Sequence, residues 1–306
     1  MLSGNNELRF DGRVAIVTGA GNGLGRAHAR LLGSRGCKVV VNDIGANVGV
    51  GVGDDPGPAN AVVREIIDAG GEAVANTESV AGAGAASRIV EAAMDSYGRV
   101  DILVNNAGFS PSIPFSEWTE EFFAQILSVN LVGAMALCSA VWKPMTEQRY
   151  GRIVNVTSGV IYGQPNFSSY IAAKGGIFGL SRALAVEGAP FNIQCNSLAP
   201  HAGTRGTDRF HEEALRARWA KLTPDLVAPA VAFLAHEDCP VTGQCIDTGG
   251  GLVSTNFLAQ TDGYFEPNMT IENLRDNFDK VMDRSIYRCF NNFPEFSAYF
   301  TDRIGI

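Results

Sequence analysis

The chain has 306 residues, which suits one large α/β domain with an additional segment, and its composition is 46% hydrophobic and 18% charged. Such a composition is typical of a globular protein and excludes a disordered one. A formal net charge of −8 argues against a general nucleic-acid or anionic-membrane binder, because such proteins need a cationic surface. We therefore expect neither nucleic acid nor a membrane as a partner.

The cysteines and histidines give no sign of a disulfide framework or a metal site. Four of the six cysteines, Cys37, Cys138, Cys195 and Cys245, lie in apolar or strand-like segments and are predicted to be reduced, mostly buried thiols. The four histidines lack metal-ligand spacing, so no metal is predicted. Residues 1–12 are polar and no run of about 18 apolar residues is evident, so we expect no signal peptide, no membrane span and a cytoplasmic location.

Strand-like and helix-like segments alternate along the first 250 residues. Seven strands are predicted, at 13–17, 38–41, 72–75, 100–104, 152–156, 192–196 and 244–246. Helices are predicted between them, at 24–35, 58–69, 86–97, 119–141, 168–187 and 224–235. This alternation predicts an α/β fold with a Rossmann-type, doubly wound, parallel seven-stranded sheet.

Two segments lie outside this alternation. Residues 44–60 are rich in glycine and form a longer connection than the fold needs. Residues 252–306 follow the last predicted strand and hold a predicted helix at 270–283 and an aromatic tail. We interpret residues 1–251 as a single domain and 252–306 as a C-terminal extension, which either packs on that domain, covers a substrate or contacts a second subunit.

A glycine-rich turn, Thr18-Gly-Ala-Gly-Asn-Gly-Leu-Gly25, lies between the first strand and its helix. Glycines there let the backbone approach a pyrophosphate, and the helix N-terminus directs free amide groups at the phosphate charge. A glycine-rich turn alone is weak evidence, but in this position it predicts a dinucleotide site. The residues expected to contact the cofactor are Gly19, Asn22, Gly23, Leu24 and Gly25.

Two further segments at the carboxyl ends of predicted strands fit the same cofactor. Asp43 ends the second strand, where a carboxylate can bind the adenosine ribose hydroxyls and repel a 2′-phosphate, which favours NAD over NADP. The alternative for Asp43 is a loop-capping acid. Asn106, Ala107 and Gly108 follow the fourth strand, where small residues make room for a cofactor, although this segment alone could be a simple turn.

Tyr170 and Lys174 are four residues apart on a predicted helix, so the phenol and the ammonium lie on one face. The cation can lower the tyrosine pKa from its ordinary value near 10, which makes an acid–base pair. Such a pair is common by chance and can be purely structural. Here it follows a strand that ends in Thr157-Ser158, whose hydroxyls can bind a substrate oxygen, and this context favours catalysis.

Taken in order, these segments resemble the short-chain dehydrogenase/reductase family over about residues 8–252. The matching text is TGAGNGLG from Thr18, NNAG from Asn105, SVNLVGA around Asn130, IVNVTS from Ile153, YIAAK from Tyr170 and TGQCIDTGGG from Thr242. The resemblance implies an NAD(P)-dependent oxidoreductase that acts on a small-molecule alcohol or ketone, with residues 1–251 as its catalytic domain.

The resemblance also implies a catalytic tetrad of Asn130, Ser158, Tyr170 and Lys174. In the family, the tyrosine is the general acid–base and the lysine holds the nicotinamide ribose and lowers the tyrosine pKa. The serine orients the substrate oxygen, and the asparagine holds a relay water. A redox-sensing NAD-binding protein or a structural oligomer would not need all four groups, so an enzyme is favoured over both.

A narrower resemblance is to the (3R)-hydroxyacyl-CoA dehydrogenase part of peroxisomal multifunctional enzyme type 2 and its stand-alone bacterial relatives. It is carried by GLGRAHA from Gly23, VVVNDIG from Val39, YGRIVNVTS from Tyr150, APHAGTR from Ala199, LTPDLVAP from Leu222 and AHEDC from Ala235. It implies NAD, a homodimer or homotetramer, and a (3R)-3-hydroxyacyl-CoA-type substrate. The alternative substrate is a free bulky or cyclic alcohol or ketone such as a hydroxysteroid.

The sequence departs from the family pattern near the predicted serine and at the C-terminus. Ser158 and Tyr170 are twelve residues apart, one fewer than usual, so Thr157 is an alternative contact for the substrate oxygen. The last four residues, Arg303-Ile-Gly-Ile, lack a peroxisomal address, and the hydratase and lipid-binding regions of the multifunctional enzyme are absent. The substrate is therefore predicted with less support than the reaction.

Two more departures concern the cofactor. Pro200-His201 stands where the family commonly has Pro-Gly, and contacts with the nicotinamide are expected from Pro200, Ala202 and Gly203. Ser79 and Val80 occupy the place of an acid that often meets adenine.

Residues 204–222 carry more positive charge than the rest of the chain. The segment contains five cations, Arg205, Arg209, Arg216, Arg218 and Lys221, against three carboxylates, Asp208, Glu212 and Glu213. One interpretation is a solvated amphipathic helix with ordinary ion pairs. The other is that the cations bind the phosphates of a coenzyme A thioester while Phe210, Trp219 and the aromatic tail shelter its acyl portion.

Overall fold

The computed structural model describes residues 7–46, 53–204 and 213–306. The chain divides into two compact units, Met1–Thr255 and Asn256–Ile306. The division falls between the last two residues of the last strand of the main sheet.

The strands of the first unit occur where the sequence pattern predicts them. They are β1 (Val14–Thr18), β2 (Lys38–Asn42), β3 (Glu72–Asn76), β4 (Ile102–Asn105), β5 (Gly151–Val156), β6 (Ile193–Pro200), β7 (Cys245–Gly249) and β8 (Leu252–Asn256). The first seven pair in parallel in the order 3-2-1-4-5-6-7. The predicted doubly wound parallel sheet is therefore confirmed.

The predicted number of strands is wrong by one, because β8 adds an eighth strand beside β7. Only Gly250 and Gly251 separate the two strands, and both have positive φ, of 59° and 88°. A two-residue link can join only antiparallel neighbours, so β8 runs against the rest of the sheet. The short run of residues 252–256 had no alternating pattern that would have predicted this strand.

Helices cover both faces of the sheet. They are α1 (Gly23–Ser34), α2 (Gly57–Asp68), α3 (Ala85–Tyr97), α4 (Glu120–Leu127), α5 (Ala134–Gln148), α6 (Ser168–Gly188), α7 (Glu213–Trp219) and α8 (Ala228–Ala235). A π-helical segment, Ser128–Gly133, joins α4 to α5 without a break. The predicted helix at 119–141 thus continues to Gln148, and only the second part of the helix predicted at 224–235 is α-helical.

Two apolar cores lie on opposite faces of the sheet because successive strand residues point to opposite sides. In β1, Ala15 and Val17 pack with α1, α2 and α8, whereas Val14 and Ile16 pack with α3 and α5. All four of these side chains are essentially inaccessible to solvent. Burial on both faces explains why the central strands read as continuous apolar runs in the sequence.

The strand order reverses between β1 and β4, which lie side by side. Connections leave these two strands in opposite directions, and a crevice opens at their carboxyl ends. The glycine-rich turn follows β1 and the Asn105–Gly108 segment follows β4. The fold therefore brings the two predicted cofactor segments to one place.

The continuous helix Glu120–Gln148 is, among the residues that the structure describes, the one helix long and apolar enough to cross a membrane by length and composition. This corrects the expectation that no such segment exists. The helix packs against α3 and α6, and core helices of this kind meet the same criterion.

The second unit is more structured than the predicted single helix and tail. It contains β9 (Ala259–Thr261), α9 (Ile271–Asp276), α10 (Phe278–Met282), β10 (Tyr287–Cys289) and α11 (Phe293–Ile304). The helix predicted at 270–283 is two short helices that meet at Asn277, and the aromatic tail holds α11. The strands β9 and β10 pair antiparallel. They are only three residues long, which is too short for a periodicity signal.

The predicted thiols Cys37, Cys138, Cys195 and Cys245 are all buried, and none of them is in a disulfide. Cys239 is buried as well, whereas Cys289, in the second unit, is exposed.

Candidate active site

The glycine-rich turn is tightly closed at the start of α1. Gly19 and Gly23 have φ values of 61° and 52°, in the left-handed region that favours glycine. A Cβ added to Gly25 would overlap the carbonyl oxygen of Gly19. Asn22 precedes the helix in an extended conformation and makes no side-chain cap. The first amides of α1 have no acceptor within the helix, so the turn can present them to a phosphate.

Hydrogen bonds join this turn to the segment after β4. The Thr18 hydroxyl oxygen accepts from the amides of Asn106 and Ala107, each at 3.0 Å. In return, Asn106 Nδ2 donates to the carbonyl oxygens of Thr18 (2.9 Å) and Gly19 (3.1 Å). The two predicted cofactor segments therefore form one hydrogen-bonded unit at the switch point of the sheet.

Asp43 has the loop-capping role that the sequence offered as an alternative to ribose binding. Its Oδ2 accepts from the amide of Gly21 and its Oδ1 from the amide of Gly45, both at 2.8 Å. It is therefore a loop-capping acid. The carboxylate also lies directly against the glycine turn, and each of its oxygens keeps a lone pair for a further donor. This is the position required for a contact with an adenosine ribose.

The remaining predicted cofactor residues lie at the same edge of the sheet. Val80 is buried, and its carbonyl oxygen would be 2.7 Å from a Cβ added to Gly133 in the π-helical segment. Ser79 lies beside it, and its Oγ accepts from the amide of Ala81. Pro200 ends β6, Ala202 is buried, and the Gly203 amide donates to the carbonyl oxygen of Leu222 at 2.6 Å.

Ser158 and Tyr170 share a hydrogen bond, so the shortened interval between them still brings the two hydroxyls together. The Thr157 hydroxyl instead donates to the carbonyl oxygen of Lys174 at 2.8 Å and is buried. The alternative in which Thr157 meets the substrate is therefore not supported, because its side chain is occupied by the α6 backbone.

Lys174 is buried beneath Tyr170. Its Nζ donates to the carbonyl oxygen of Val156 at 2.7 Å and lies 5.5 Å from the centre of the Tyr170 ring. Burial lowers the pKa of Lys174 to about 8. Burial also raises the pKa of Tyr170 to about 12, and the hydrogen bond with Ser158 only partly opposes this. The net pKa of Tyr170 is thus raised and not lowered as expected, because desolvation is the largest effect on both groups.

Asn130 lies in the π-helical segment, and such segments are frequent at functional sites. Its Nδ2 donates to the carbonyl oxygens of Phe109 (3.0 Å) and Ile126 (3.1 Å). Its Oδ1 is buried and has no hydrogen-bond partner among the described residues. A Cβ added to Gly108 would overlap this Oδ1 and lie 3.5 Å from Lys174 Nζ. An unpaired acceptor beside an ammonium group is suited to bind a water molecule.

Sequence reasoning missed an apolar wall beside Tyr170. The phenol borders a depression that is lined mainly by apolar side chains, including Ile113, Phe115, Trp118, Phe122 and Phe167. Phe115 is 74% exposed and Trp118 is 42% exposed. Large apolar side chains left in solvent beside a reactive group favour an apolar ligand. The cluster of aromatic residues at 115–123 is the sequence feature that could have predicted this apolar wall.

The lowered pKa of Lys174 predicts a pH-dependent contribution to stability. Between about pH 8 and 10, the unfolded chain keeps a lysine proton that the folded chain has lost, so stability rises with pH. We expect the free energy of unfolding of the wild type, relative to Lys174→Met, to increase by about 2 kcal/mol over this interval. Urea denaturation at several pH values measures this, with the exposed Lys143→Met as a control. Parallel pH curves for wild type and Lys174→Met would contradict the prediction.

Comparison with known proteins agrees with this geometry. The family model for short chain dehydrogenases matches residues 13–215. Peroxisomal multifunctional enzyme type 2 of Mus musculus is 42% identical over 283 residues, which cover 91% of this chain and 38% of that protein. The full-length structure of the Drosophila melanogaster enzyme of the same name superposes with a TM-score of 0.79 and 34% identity, over 96% of this chain and 50% of that one.

The chain thus spans about half the length, or less, of these two multifunctional relatives. A crystal structure of a short chain dehydrogenase from Mycobacterium avium matches with a TM-score of 0.74 and 34% identity, over 89% of this chain and 97% of that one. A family model that covers two thirds of the chain, together with these relatives, establishes the assignment. The protein belongs to the short-chain dehydrogenase/reductase family, whose members are oxidoreductases that bind a nicotinamide nucleotide.

Proposed function

We propose that this protein is an NAD-dependent dehydrogenase that interconverts a secondary alcohol and a ketone in (3R)-3-hydroxyacyl-CoA-type substrates. The observation that carries the proposal is the hydrogen-bonded pair of Ser158 and Tyr170 above the buried Lys174, at the sheet edge that holds the glycine-rich turn. The substrate class is supported by the relatives named peroxisomal multifunctional enzyme type 2 and peroxisomal hydratase-dehydrogenase-epimerase.

The residues present fit a dinucleotide. The closed glycine turn leaves no room for a side chain at Gly25, and its helix amides would hold the pyrophosphate. Asp43 would hold the adenosine ribose, and Lys174 and Tyr170 would meet the nicotinamide ribose. Pro200, Ala202 and Gly203 would meet the nicotinamide. A bound nicotinamide would supply the hydride acceptor for oxidation and the hydride donor for reduction.

The protein side chains supply the proton chemistry. In reduction, the Tyr170 phenol donates its proton to the carbonyl oxygen, and at a pKa of about 12 it is protonated at neutral pH. In oxidation, the phenolate removes the hydroxyl proton, and the ammonium form of Lys174 stabilises that phenolate. Ser158 donates a hydrogen bond to the same substrate oxygen. Asn130 Oδ1 holds a water that connects Lys174 to solvent.

The end of α7 supports a phosphate-bearing substrate. Arg216, Arg218 and Lys221 are exposed, and no ion pair is found for them in the part of the chain that the structure describes. A Cβ on Gly203 would overlap the carbonyl oxygen of Trp219, which lies between these cations. The cations are therefore next to the predicted nicotinamide contact, where they can bind coenzyme A phosphates. Arg205, Arg209 and Phe210, which were predicted to share this role, lie outside the described residues.

The apolar wall beside Tyr170 supports an acyl chain as the reacting part. Phe115, Trp118 and Phe122 face the depression that the phenol borders. A fatty acyl chain that enters there would bury their exposed surface, which stabilises the complex by about 25 cal/mol for each Å² removed from water.

The subunit arrangement and the location complete the proposal. We infer a homodimer or homotetramer in the cytoplasm. Val132 and Met135, on the helix Glu120–Gln148, are each 56% exposed, and Val186 on α6 is 52% exposed. Exposed aliphatic side chains on these two helices support pairing through them.

Replacing Tyr170 with phenylalanine tests the reaction. The variant lacks the proton donor, whereas the glycine turn and Asp43 are unchanged, so we expect turnover to fall by about a hundredfold to ten-thousandfold while the Kd for NAD stays within about twofold. Steady-state absorbance of the reduced cofactor and fluorescence titration measure the two quantities. Loss of NAD binding together with activity would contradict the role of Tyr170.

Asp43→Asn tests the choice of cofactor. The amide keeps an acceptor for the Gly21 amide but removes the charge that repels a 2′-phosphate. We expect the ratio of kcat/KM for NADP to that for NAD to rise by about tenfold or more, with a smaller fall in Tm than in Asp43→Ala, because the Asn oxygen keeps only one of the two bonds to backbone amides. Asp43→Ala, which also removes the loop cap, should shift the same ratio and lower the Tm. A wild type that prefers NADP would overturn this role.

The double variant Arg216→Ala/Arg218→Ala tests the substrate class. A (3R)-hydroxyacyl-CoA should be oxidised well by the wild type, and its KM should rise by about tenfold in the variant. The same acyl group on N-acetylcysteamine, which carries no phosphate, should show an unchanged KM.

Lys143→Ala serves as the charge control, because Lys143 is 85% exposed and pairs with Glu147 at the opposite end of the fold. A wild type that oxidises free cyclic alcohols and ignores every acyl-CoA would overturn the proposal.

A further inference from the structure

His201 is attached to the neighbouring strand by both its backbone and its ring. It directly follows β6, at the position where the sequence departs from the Pro-Gly of its family. Its amide donates to the carbonyl oxygen of Thr248 at 2.7 Å. Its imidazole Nε2 lies 3.1 Å from Asp247 Oδ1 and 3.2 Å from Asp247 Oδ2. These contacts to β7 leave the ring little freedom to rotate.

The partners on either side of the ring determine how it is oriented. A carboxylate only accepts hydrogen bonds, so Nε2 carries a proton and donates it to Asp247. The indole of Trp219 stacks on the imidazole, with ring centres 6.2 Å apart and an angle of 29° between the planes. The side chain is nevertheless 41% exposed, so the ring is held at the rim of the site and is not part of the core.

The edge of the ring contacts the chain beside Ser158. A Cβ added to Gly159 would lie 3.0 Å from His201 Cε1 and 3.2 Å from His201 Nε2. These distances are shorter than ordinary van der Waals contact, so the imidazole occupies the space that a side chain at position 159 would need. Gly159 directly follows Ser158, and the ring therefore lies beside the backbone next to the serine.

Ser158 has few other supports. Thr157 is fixed by its amide, which donates to Leu198, and by its hydroxyl on Lys174, but β5 already ends at Val156. Beyond that point, Ser158 Oγ accepts from the Val160 amide at 3.4 Å, its carbonyl oxygen accepts from the Ile161 amide at 3.3 Å, and its hydroxyl shares a hydrogen bond with Tyr170. The first two distances are near the limit for a hydrogen bond. Ser158 is thus the second residue beyond the sheet.

We propose that His201, held by Asp247, is a positioning residue that braces Gly159 and thereby fixes the Ser158 hydroxyl against Tyr170. The His201 imidazole fills space that would be empty if position 201 were the glycine common in the family. This space lies next to the segment between Ser158 and Tyr170, which is one residue shorter than usual. The inference rests on the proposed function only in assuming that Ser158 contributes to turnover.

A double-mutant cycle between His201→Gly and Ser158→Ala tests the brace. His201→Gly should lower kcat by about tenfold to a hundredfold, because a small misplacement of a group that orients the substrate is costly, and should leave the Kd for NAD within about twofold. In the Ser158→Ala background, His201→Gly should cause no further loss, since the group that it positions is gone. Equal losses in both backgrounds would overturn the proposal, as would a Ser158→Ala variant with unchanged kcat.

Gly159→Ala supplies a second test through rescue. The added methyl group should displace the segment and lower kcat by a similar factor, and the double variant Gly159→Ala/His201→Gly should recover part of that loss. Gly179→Ala is the matched control, because a Cβ there meets nothing within 4 Å. If the fold-losses in kcat of the two single variants simply multiply in the double variant, the contact between residues 159 and 201 has no positioning effect.

Amide hydrogen exchange provides a readout that does not depend on activity. In His201→Gly, the amides of residues 158–163 should exchange at least several-fold faster than in the wild type, whereas those of β1 and β4 should not change. Unchanged exchange at 158–163 would overturn the brace. If the wild type oxidises no acyl-CoA, the proposed substrate is wrong, and the exchange experiment still decides the role of His201.

Discussion

The buried Lys174 is the contact on which the arrangement of the site depends. Its ammonium donates to Val156, the last residue of β5, and its own carbonyl oxygen accepts from the hydroxyl of Thr157, the next residue. The ammonium and the backbone carbonyl of Lys174 therefore both fix the helix that carries Tyr170 to the strand that leads to Ser158. Burying the ammonium is costly and lowers its pKa to about 8, and its hydrogen bond to the Val156 carbonyl oxygen offsets part of that cost.

A second set of buried polar contacts extends this connection to the cofactor side. Asn155 Oδ1 accepts from Asn105 Nδ2 at 2.9 Å, and Asn155 Nδ2 donates to the Ser181 hydroxyl at 3.0 Å. These bonds join α6 to β5 and β4 within the apolar core. Asn106, the next residue after Asn105, is bonded to Thr18 and Gly19. A continuous series of buried hydrogen bonds thus runs from the tyrosine helix to the glycine turn, and such networks hold their members in one geometry.

The sequence predicted the parts of the molecule that repeat a strong physical pattern. The apolar patterns of the seven strands and their helices are each typical of one kind of local structure. The same holds for the glycines of the turn. The strand β8 and the short elements of the second unit have neither, because three to five residues carry no measurable period. The π-helical segment around Asn130 was likewise hidden, since its sequence continues an ordinary helical pattern.

Within the site, the sequence identified candidate side chains but not their environment. The pKa argument for Tyr170 and Lys174 counted the charge between them and omitted burial, which the structure shows to be larger for both. The choice between Ser158 and Thr157 could not be made from spacing, because it depends on which hydroxyl the α6 backbone captures. Contacts between segments that are distant in sequence, such as His201 with Gly159, have no sequence signal at all.

Two of the groups proposed for the chemistry are almost completely buried, whereas most of those proposed for substrate choice are exposed. This difference determines which of them can be substituted with little loss of stability. Lys174 and Asn130 are almost completely buried and bonded to the backbone, so replacing either one disturbs the fold as well as the reaction. Phe115, Trp118, Arg216 and Arg218 are exposed. Substitutions among these four cost little stability, so substrate preference can change while the reaction is kept.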